Sequence, residues 1–152
     1  MSSVSLVNDF LYKSGSFECA ILCTYGLNLH FFENYILKQN ALYYCDNICV
    51  FTDYNIYQNF LTENYRYKPR WLNKKYLVAW LKTKGIFHSK LFIVASESKV
   101  FVVIGSANLT RDGIASNLEL VSLFEFSKND LAHSNVLRES IDYVERLAEL
   151  SK

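Results

Sequence analysis

The sequence predicts an α/β fold, a single domain in which helices flank a mixed parallel and antiparallel sheet. In the first half of the chain, apolar runs of strand length alternate with amphipathic helical segments, which is typical of parallel strands with helices on the sheet faces. In the second half, apolar runs follow one another across short polar joints, which favours antiparallel hairpins. The 152 residues contain no linker, repeat or low-complexity segment, so residues 1–152 are expected to form one domain.

The first half supplies three helices and two strands. Apolar positions at helical spacing and polar residues suited to N-caps define the helices, and short β-branched runs define the strands. In chain order we expect a helix over 3–13 begun by Ser2 or Ser3, a strand over 17–25, a helix over 29–40 capped by Asn28, a strand over about 47–52, and a helix that Thr52 or Asp53 opens and that ends near residue 64.

The second half supplies four strands and a terminal helix. The runs KYLVAWL, GIFHSKLFIVA and KVFVVIGSA are joined by KTKG and SESK, which predicts two consecutive hairpins. After the loop NLTRDGIAS, the run NLELVSLFEF predicts another strand. A helix over about 129–150 is expected to bury one apolar stripe, formed by Leu131, Val136, Leu137, Ile141, Val144 and Leu147.

Composition and charge exclude some classes of protein. A net charge of +1 excludes a surface that is basic overall, so any nucleic-acid contact requires a local patch. The N-terminus lacks the pattern of a signal peptide, and no apolar run approaches the roughly 18 residues that cross a bilayer. We therefore expect a cytoplasmic protein with no membrane partner.

The four cysteines are predicted to be core residues rather than metal ligands. They occur as Cys19-x3-Cys23 and Cys45-x3-Cys49, in two segments that resemble buried strands. Four residues along a strand span about 13 Å, which is too far for two thiolates to share one tetrahedral ion.

Polar side chains that suit a phosphate are predicted to meet at one sheet edge. His88 and Lys90 are two residues apart in an apolar run, so on a strand they share a face. A hairpin through SESK would bring Ser106 and Asn108 back beside them. An imidazole, an ammonium, a hydroxyl and a carboxamide offer a nucleophile or base, a fixed positive charge and neutral donors.

Glu119 follows in the segment NLEL and is expected to reach the same site. There its carboxylate would hold the far ring nitrogen of His88 and support the charge that develops on attack. Two alternatives remain open: Ser106 as a simple turn hydroxyl, and Glu119 as a solvated strand residue. His30 and His133 are expected on the surface or on a helix face and are assigned no role.

Three separated elements, in order, resemble the HKD signature of the phospholipase D superfamily: His88-x-Lys90, Gly105-Ser106-x-Asn108 and Asn117-x-Glu119. The earlier segments CTYGLNLHFFENYIL and CVFTD resemble the N-terminal half of its nuclease-type members, so the resemblance covers most of the chain and implies a phospholipase D-like fold. The family's Asp, five residues after the Lys, is replaced by Ala95, and the gap to the Gly-Ser is longer than usual. Both departures resemble the branch of metal-independent restriction endonucleases and helicase-associated nuclease domains.

The resemblance implies a mechanism and a partner. In this family one His attacks phosphorus to give a phosphohistidine, a second His protonates the leaving oxygen, and water releases the product. One site needs two HKD motifs and this chain has one, which implies a homodimer with the site on its two-fold axis, where each subunit supplies His88 while Lys90 and Asn108 hold phosphate oxygens. The implied activity is cleavage of nucleic acid with no metal or other cofactor; DNA is the expected substrate, and RNA stays open as the alternative.

Two alternatives to a nuclease remain. The first is a catalytically weak or silent DNA-binding or dimerisation module of a larger restriction, defence or repair system, and the missing Asp supports it. The second is a phospholipase or phosphatidyltransferase, against which the absence of a membrane segment and of a second HKD half counts. An additional recognition domain or subunit could accompany the chain in the nuclease interpretation as well.

The segment YRYKPRWLNKKY, residues 65–76, predicts contact with a nucleic-acid backbone, with a solvated loop as the alternative. It contains aromatic residues and no acidic one. Tyr67 or Trp71 would stack a base, and five basic residues would follow the backbone: Arg66, Lys68, Arg70, Lys74 and Lys75. Arg111, in the loop after Asn108, is a further candidate for phosphate contact.

Overall fold

Six strands form one mixed sheet in the computed structural model, which describes residues 16–38, 40–63, 67–127 and 134–151. The strand order is β3-β2-β1-β4-β5-β6, so the predicted α/β class is confirmed. β1, β2 and β3 pair in parallel, whereas β4, β5 and β6 pair antiparallel with their neighbours. The strands are β1 (Cys19–Thr24), β2 (Asn47–Asp53), β3 (Tyr76–Leu81), β4 (Leu91–Ala95), β5 (Lys99–Gly105) and β6 (Val121–Ser127).

The described helices are α1 (Leu29–Phe31), which continues into a π-helical turn over Phe32–Ile36, then α2 (Asn40–Tyr43), α3 (Tyr54–Glu63), a second π-helical turn over Asp112–Ser116, and α4 (Asn135–Leu150). As predicted, Asn28 caps α1, because its side-chain oxygen accepts a hydrogen bond from the backbone N–H of Phe31 at 2.9 Å. The predicted helix over 3–13 lies outside the described residues, as does the start of the predicted terminal helix before residue 134.

Each face of the sheet carries its own apolar core. One face packs against α1, its π-helical continuation and α3, with Phe32, Ile36 and Tyr76 among the most buried side chains. The other face packs against α4 through Leu137, Val144 and Leu147. The described helices include none that is long and apolar enough to cross a bilayer.

The prediction of a hairpin through KTKG is wrong. β3 pairs in parallel with β2, and β4 lies between β1 and β5 on the other side of the sheet. The connection between β3 and β4 is also longer than the sequence suggested, since residues 86–90 are not paired as a strand and β4 begins only at Leu91. The second hairpin, through SESK, joins β4 and β5 as predicted.

Two smaller predictions also need correction. Ile141 was expected in the buried stripe of the last helix, but it is 43% exposed. The buried line of α4 runs through Ser140 instead, a small polar residue that an apolar pattern omits. Glu119 precedes β6 rather than lying on a strand.

The thiols are free in the structure, and three of the four lie on strands. Cys19 and Cys23 lie on β1 and Cys49 lies on β2. Cys45 was predicted to lie on a strand as well, but it precedes β2. Burial raises the pKa of all four thiols, to about 12 for Cys23, where Cys49 adds a smaller effect. Within the described part of the chain, no group of three or more His, Cys, Asp or Glu could hold a metal ion.

Candidate active site

A buried carboxylate positions the segment that carries His88. Asp53, at the end of β2, is only 1% exposed. Its Oδ2 accepts a hydrogen bond from the backbone N–H of Phe87 at 2.7 Å, and its Oδ1 accepts one from Asn55 at 2.8 Å in the first turn of α3. The residue before His88 is therefore fixed to the end of the parallel strands, which gives His88 a defined place despite its exposure to solvent.

His88 and Lys90 contact each other directly. The Nζ atom of Lys90 lies 2.9 Å from each ring nitrogen of His88 and donates to its backbone oxygen at 3.2 Å. Burial lowers the pKa of the Lys90 ammonium, and the charge of Glu119 opposes that shift. The ring of Tyr25 also lies near the imidazole, 5.2 Å away from centroid to centroid.

The end of β5 brings a hydroxyl and a carboxylate to the same edge. The backbone N–H of Gly105 donates to the oxygen of Lys90 at 3.2 Å, which continues the β4–β5 ladder by one residue. Ser106 Oγ donates to Glu119, whose other carboxylate oxygen accepts from Asn117 at 3.3 Å. The segment around Leu120 can approach the end of β5 this closely because residue 105 is glycine. A Cβ at that residue would lie 2.4 Å from the backbone oxygen of Leu120.

The Asn108 carboxamide is held in a fixed orientation. Its Oδ1 accepts a hydrogen bond from the backbone N–H of Gly26 at 2.9 Å, and Thr24 Oγ1 lies 3.4 Å away. Since a backbone N–H can only donate, the atom facing it must be the oxygen, and Nδ2 remains to donate elsewhere. The buried Thr24 hydroxyl also donates to Gly26 O at 2.8 Å and accepts from Leu109 N at 3.1 Å, so the loops after β1 and β5 are joined.

The structure thus brings the five predicted catalytic residues to one edge of the sheet: His88, Lys90, Ser106, Asn108 and Glu119. Within the described residues, Glu119 hydrogen-bonds Ser106 and Asn117 rather than His88. The predicted contact between Glu119 and the far nitrogen of His88 stays a prediction.

The predicted substrate-binding segment is fixed by a second buried carboxylate, Glu33, which is 3% exposed. Its two oxygens accept four hydrogen bonds, from the hydroxyls of Tyr67 (2.6 Å) and Tyr76 (2.8 Å) and from the backbone N–H groups of Arg70 and Trp71 (2.9 Å each). Burial by itself raises the pKa of Glu33, but these four donors outweigh it and the pKa is lowered. The segment from Tyr67 to Trp71 is consequently anchored.

Not all predicted basic residues lie together. Lys68 and Arg70 are exposed on the anchored segment beside Trp71, which is 48% exposed, and Arg111 is exposed just after the Asn108 loop. Lys74 and Lys75 follow in the turn after Trp71, whose backbone oxygen accepts from both of their N–H groups, at 3.0 and 2.9 Å. This turn precedes β3, at the opposite end of the sheet from His88, and Lys75 Nζ contacts the backbone oxygen of Tyr43. Arg66 lies outside the described residues.

Sequence reasoning missed four residues that build this region: Thr24, Tyr25, Glu33 and Asp53. A signal existed for three of them. Thr24, Tyr25 and Asp53 lie at the carboxyl ends of the parallel strands β1 and β2, where α/β sheets place their ligand sites. Glu33 had no such signal, because it occurs within an amphipathic helical pattern as an ordinary charged residue.

Comparisons with known proteins bear on the family and the fold. A family model described as cardiolipin synthase, PLD-like domain, matches residues 36–137. Among solved structures, NucT from Helicobacter pylori superposes with a TM-score of 0.54 at 18% identity, covering 89% of this chain and 81% of that one. A mutant of yeast tyrosyl-DNA phosphodiesterase superposes with a TM-score of 0.50 at 17% identity, covering 74% of this chain and 25% of that one. A comparison with curated protein sequences finds no match.

These likenesses differ in what they cover. The chain spans about a quarter of the length of the yeast phosphodiesterase chain, and at such low identity both structural matches show the fold alone. The family model, by contrast, covers 102 of the 152 residues, more than half of the sequence. The chain therefore belongs to the PLD-like domain family of the phospholipase D superfamily.

Proposed function

We propose that this chain is a metal-independent phosphodiesterase that cleaves DNA through a covalent phosphohistidine on His88. The observation that carries the proposal is the contact of Lys90 Nζ with both ring nitrogens of His88, at the edge where the Asn108 carboxamide also ends. A nucleophile, a fixed cation and a neutral donor are what attack on a phosphodiester requires. The fold is shared with a tyrosyl-DNA phosphodiesterase, whose name gives a phosphodiester of DNA as the substrate.

In the first step a ring nitrogen of His88 attacks phosphorus. The N–P bond forms as the bond from phosphorus to the leaving oxygen breaks, and a second His88 gives its proton to that oxygen. Water then attacks phosphorus, the N–P bond breaks, and both imidazoles return to their starting protonation states. A neutral imidazole has one nitrogen with a lone pair and one N–H, so of the two ring nitrogens near Lys90 only one can accept from its ammonium. Phosphate oxygens that attract Lys90 would free this lone pair for attack.

The second His88 comes from a second copy of the chain. β6 is an edge strand of the sheet and lies next to the site. Apolar side chains around it are exposed: Ile104 by 42%, Leu123 by 52%, Leu120 by 82%, and Leu118 completely. An exposed edge with such side chains is the kind of surface at which a second copy of the chain would pack next to the site.

The first test is cleavage of labelled single- and double-stranded oligonucleotides in excess EDTA. We expect the wild type to cut and His88→Ala to fall to the uncatalysed background, because the variant lacks the attacking nitrogen. Circular dichroism and gel filtration of both proteins control for fold and for the dimer. A His88→Ala protein that cuts at the wild-type rate would contradict the proposal.

The shared site has its own test. When wild-type chains are refolded together with an excess of His88→Ala chains, activity is expected to fall with the square of the wild-type fraction, since only a dimer of two wild-type chains holds two His88 residues. A linear fall would mean that each chain carries a complete site.

The two alternatives predict other results. Tight binding of DNA with no cutting by either protein, and no covalent adduct on an alkaline denaturing gel, would indicate a silent binding module. Cleavage of phosphatidylglycerol or phosphatidylcholine vesicles, but not of oligonucleotides, would indicate a lipid enzyme, which the description of the matching family makes worth measuring.

A further inference from the structure

A cleft of about 470 Å³ opens beside the candidate active site and has no part in the chemistry described above. Its volume lies within the range of about 300–1,000 Å³ that small-ligand sites occupy. Gly26 and Thr110 form the wall toward the active site. The backbone N–H of Gly26 donates to Asn108 Oδ1. The wall of the cleft is therefore hydrogen-bonded directly to the carboxamide that is proposed to bind phosphate.

The lining of the cleft suits a flat, uncharged heteroaromatic ring. The rings of His30 and Tyr67 meet edge to face, with centroids 4.8 Å apart at 82°, and both line the cleft. Ile56 and Phe60 add half-buried apolar surface. Among the described residues that line it, none carries a carboxylate, an ammonium or a guanidinium. A second phosphate would therefore find no compensating charge, whereas a base could stack and pack there.

Two of the lining side chains are held in place before any ligand arrives. Tyr67 donates its hydroxyl to Glu33 at 2.6 Å, which fixes its ring against His30. Asn28 commits its side-chain oxygen to the cap of α1, so the group that it can offer to a ligand is its amide donor. A preformed site avoids the entropy cost of ordering these side chains on binding.

We propose that this cleft binds the nucleobase of a nucleotide adjoining the scissile phosphate. The inference rests on the proposed function, because it takes the phosphate to lie at His88. Tyr25, which contacts His88, and Asn28, which lines the cleft, are three residues apart, so their Cα atoms are separated by at most about 11 Å. A nucleobase on either nucleotide joined by the phosphate at His88 could reach the cleft over such a distance.

Equilibrium binding tests the inference without depending on cleavage. In a His88→Ala background, fluorescence anisotropy compares an oligothymidylate with an abasic oligonucleotide of the same length. We expect tighter binding of the base-containing strand by about 5- to 150-fold, the range for one stacked base. Adding His30→Ala is expected to remove most of that preference, whereas Tyr44→Ala, an exposed aromatic elsewhere, leaves it unchanged.

The outcomes separate this inference from the proposed function. Equal binding of the two oligonucleotides, binding of neither, or a preference that survives His30→Ala would overturn the nucleobase site. Cleavage by the wild type together with any of these results would leave the phosphodiesterase standing alone. A base preference that His30→Ala removes, in a protein whose wild type cuts nothing, would support the cleft and contradict the reaction.

Discussion

Replacing Glu33 by glutamine tests how the anchored segment is held. The carboxylate accepts four hydrogen bonds, two at each oxygen: Tyr67 and Arg70 donate to one, Trp71 and Tyr76 to the other. A glutamine offers one acceptor oxygen and one NH₂ donor. Whichever way it turns, the NH₂ faces one backbone N–H and one tyrosine hydroxyl. The hydroxyl can rotate and accept, but the backbone N–H loses its partner.

The expected cost follows from that count. A hydrogen bond to a charged group contributes about 1.5–3 kcal/mol, and a buried donor left without a partner costs about 1–3 kcal/mol. The other bonds change only from charged to neutral acceptors. We therefore expect Glu33→Gln to lower the free energy of unfolding at pH 7 by about 2–4 kcal/mol, which corresponds to a fall in Tm of roughly 5–15 °C for a chain of this length.

The effect should depend on pH in one direction. The pKa of Glu33 is lowered in the folded protein, so its stabilisation is present above the unfolded-state pKa, about 4.3, and is lost as the pH falls through the folded-state pKa. A protonated carboxyl resembles the glutamine amide in its hydrogen bonding. The difference between wild type and variant should thus hold from pH 7 to about pH 5 and shrink below it.

Urea denaturation followed by circular dichroism, from pH 7 to pH 3, measures both quantities. Glu145→Gln, on the exposed side of α4, is the matched control and should change stability by less than about 0.5 kcal/mol. A Glu33→Gln protein as stable as wild type at pH 7, or a difference that does not depend on pH, would refute the reasoning.

Two further substitutions probe the supports of the active-site edge. Asp53→Asn should destabilise the fold by about 1–3 kcal/mol in urea denaturation, because one of the two N–H groups that the carboxylate binds loses its acceptor. It should also lower kcat per folded molecule, because Phe87 precedes the imidazole of His88. Unchanged stability and kcat would contradict this. Gly105→Ala should cost about 1–3 kcal/mol, since the new Cβ would lie 2.4 Å from Leu120 O, whereas Gly85→Ala meets nothing within 4 Å and should be neutral or slightly stabilising. Equal melting temperatures for Gly105→Ala and Gly85→Ala would contradict this prediction, because they would mean that the backbone around residue 105 moves to make room for the Cβ.

The local elements could be predicted from sequence far better than their pairing. The runs that form β1, β2 and β5 are apolar and continuous, and these strands lie where the pattern places them, whereas β4 takes only the second half of its predicted run. The position of β3 was predicted wrongly from the short polar connection KTKG. Such a connection indicates a hairpin only when both flanking runs are strands along their whole length. Here the second run begins with residues 86–90, which cross the end of the sheet, and the partner of β3 is decided by packing against β2.

The candidate site divides in the same way. His88 and Lys90, and then Ser106 and Asn108, could be predicted to lie near each other because the hairpin through SESK brings the start of β4 beside the end of β5. Glu33 could not be found by such reasoning, and the one signal for Asp53 was its place at the carboxyl end of β2. Both carboxylates bind backbone N–H groups 34 to 38 residues away in sequence, and a backbone group leaves no mark in the pattern of side chains.

The Asp missing from the HKD pattern is the main support that the sequence offers for a silent module. The structure gives the position that it would occupy. Ala95 ends β4 and pairs with Cys19, at the end of the strand away from Lys90. Five residues of extended chain place its Cα about 17 Å from that of Lys90. An aspartate at residue 95 would therefore stand too far away to touch a phosphate held at His88.

Restoring that aspartate is consequently expected to leave the reaction unchanged. Ala95→Asp should alter kcat/KM per folded molecule by less than about twofold, because a solvated charge at about 17 Å is beyond the screening length of roughly 8 Å. Any loss should appear in stability instead, since residue 95 is half-buried and its backbone oxygen accepts a hydrogen bond from Glu18. A tenfold gain in kcat/KM for Ala95→Asp would show that the absence of the HKD aspartate weakens the site. It would then support the interpretation of the chain as a silent module. With no such gain, the replacement at residue 95 gives no reason to consider the His88 site inactive.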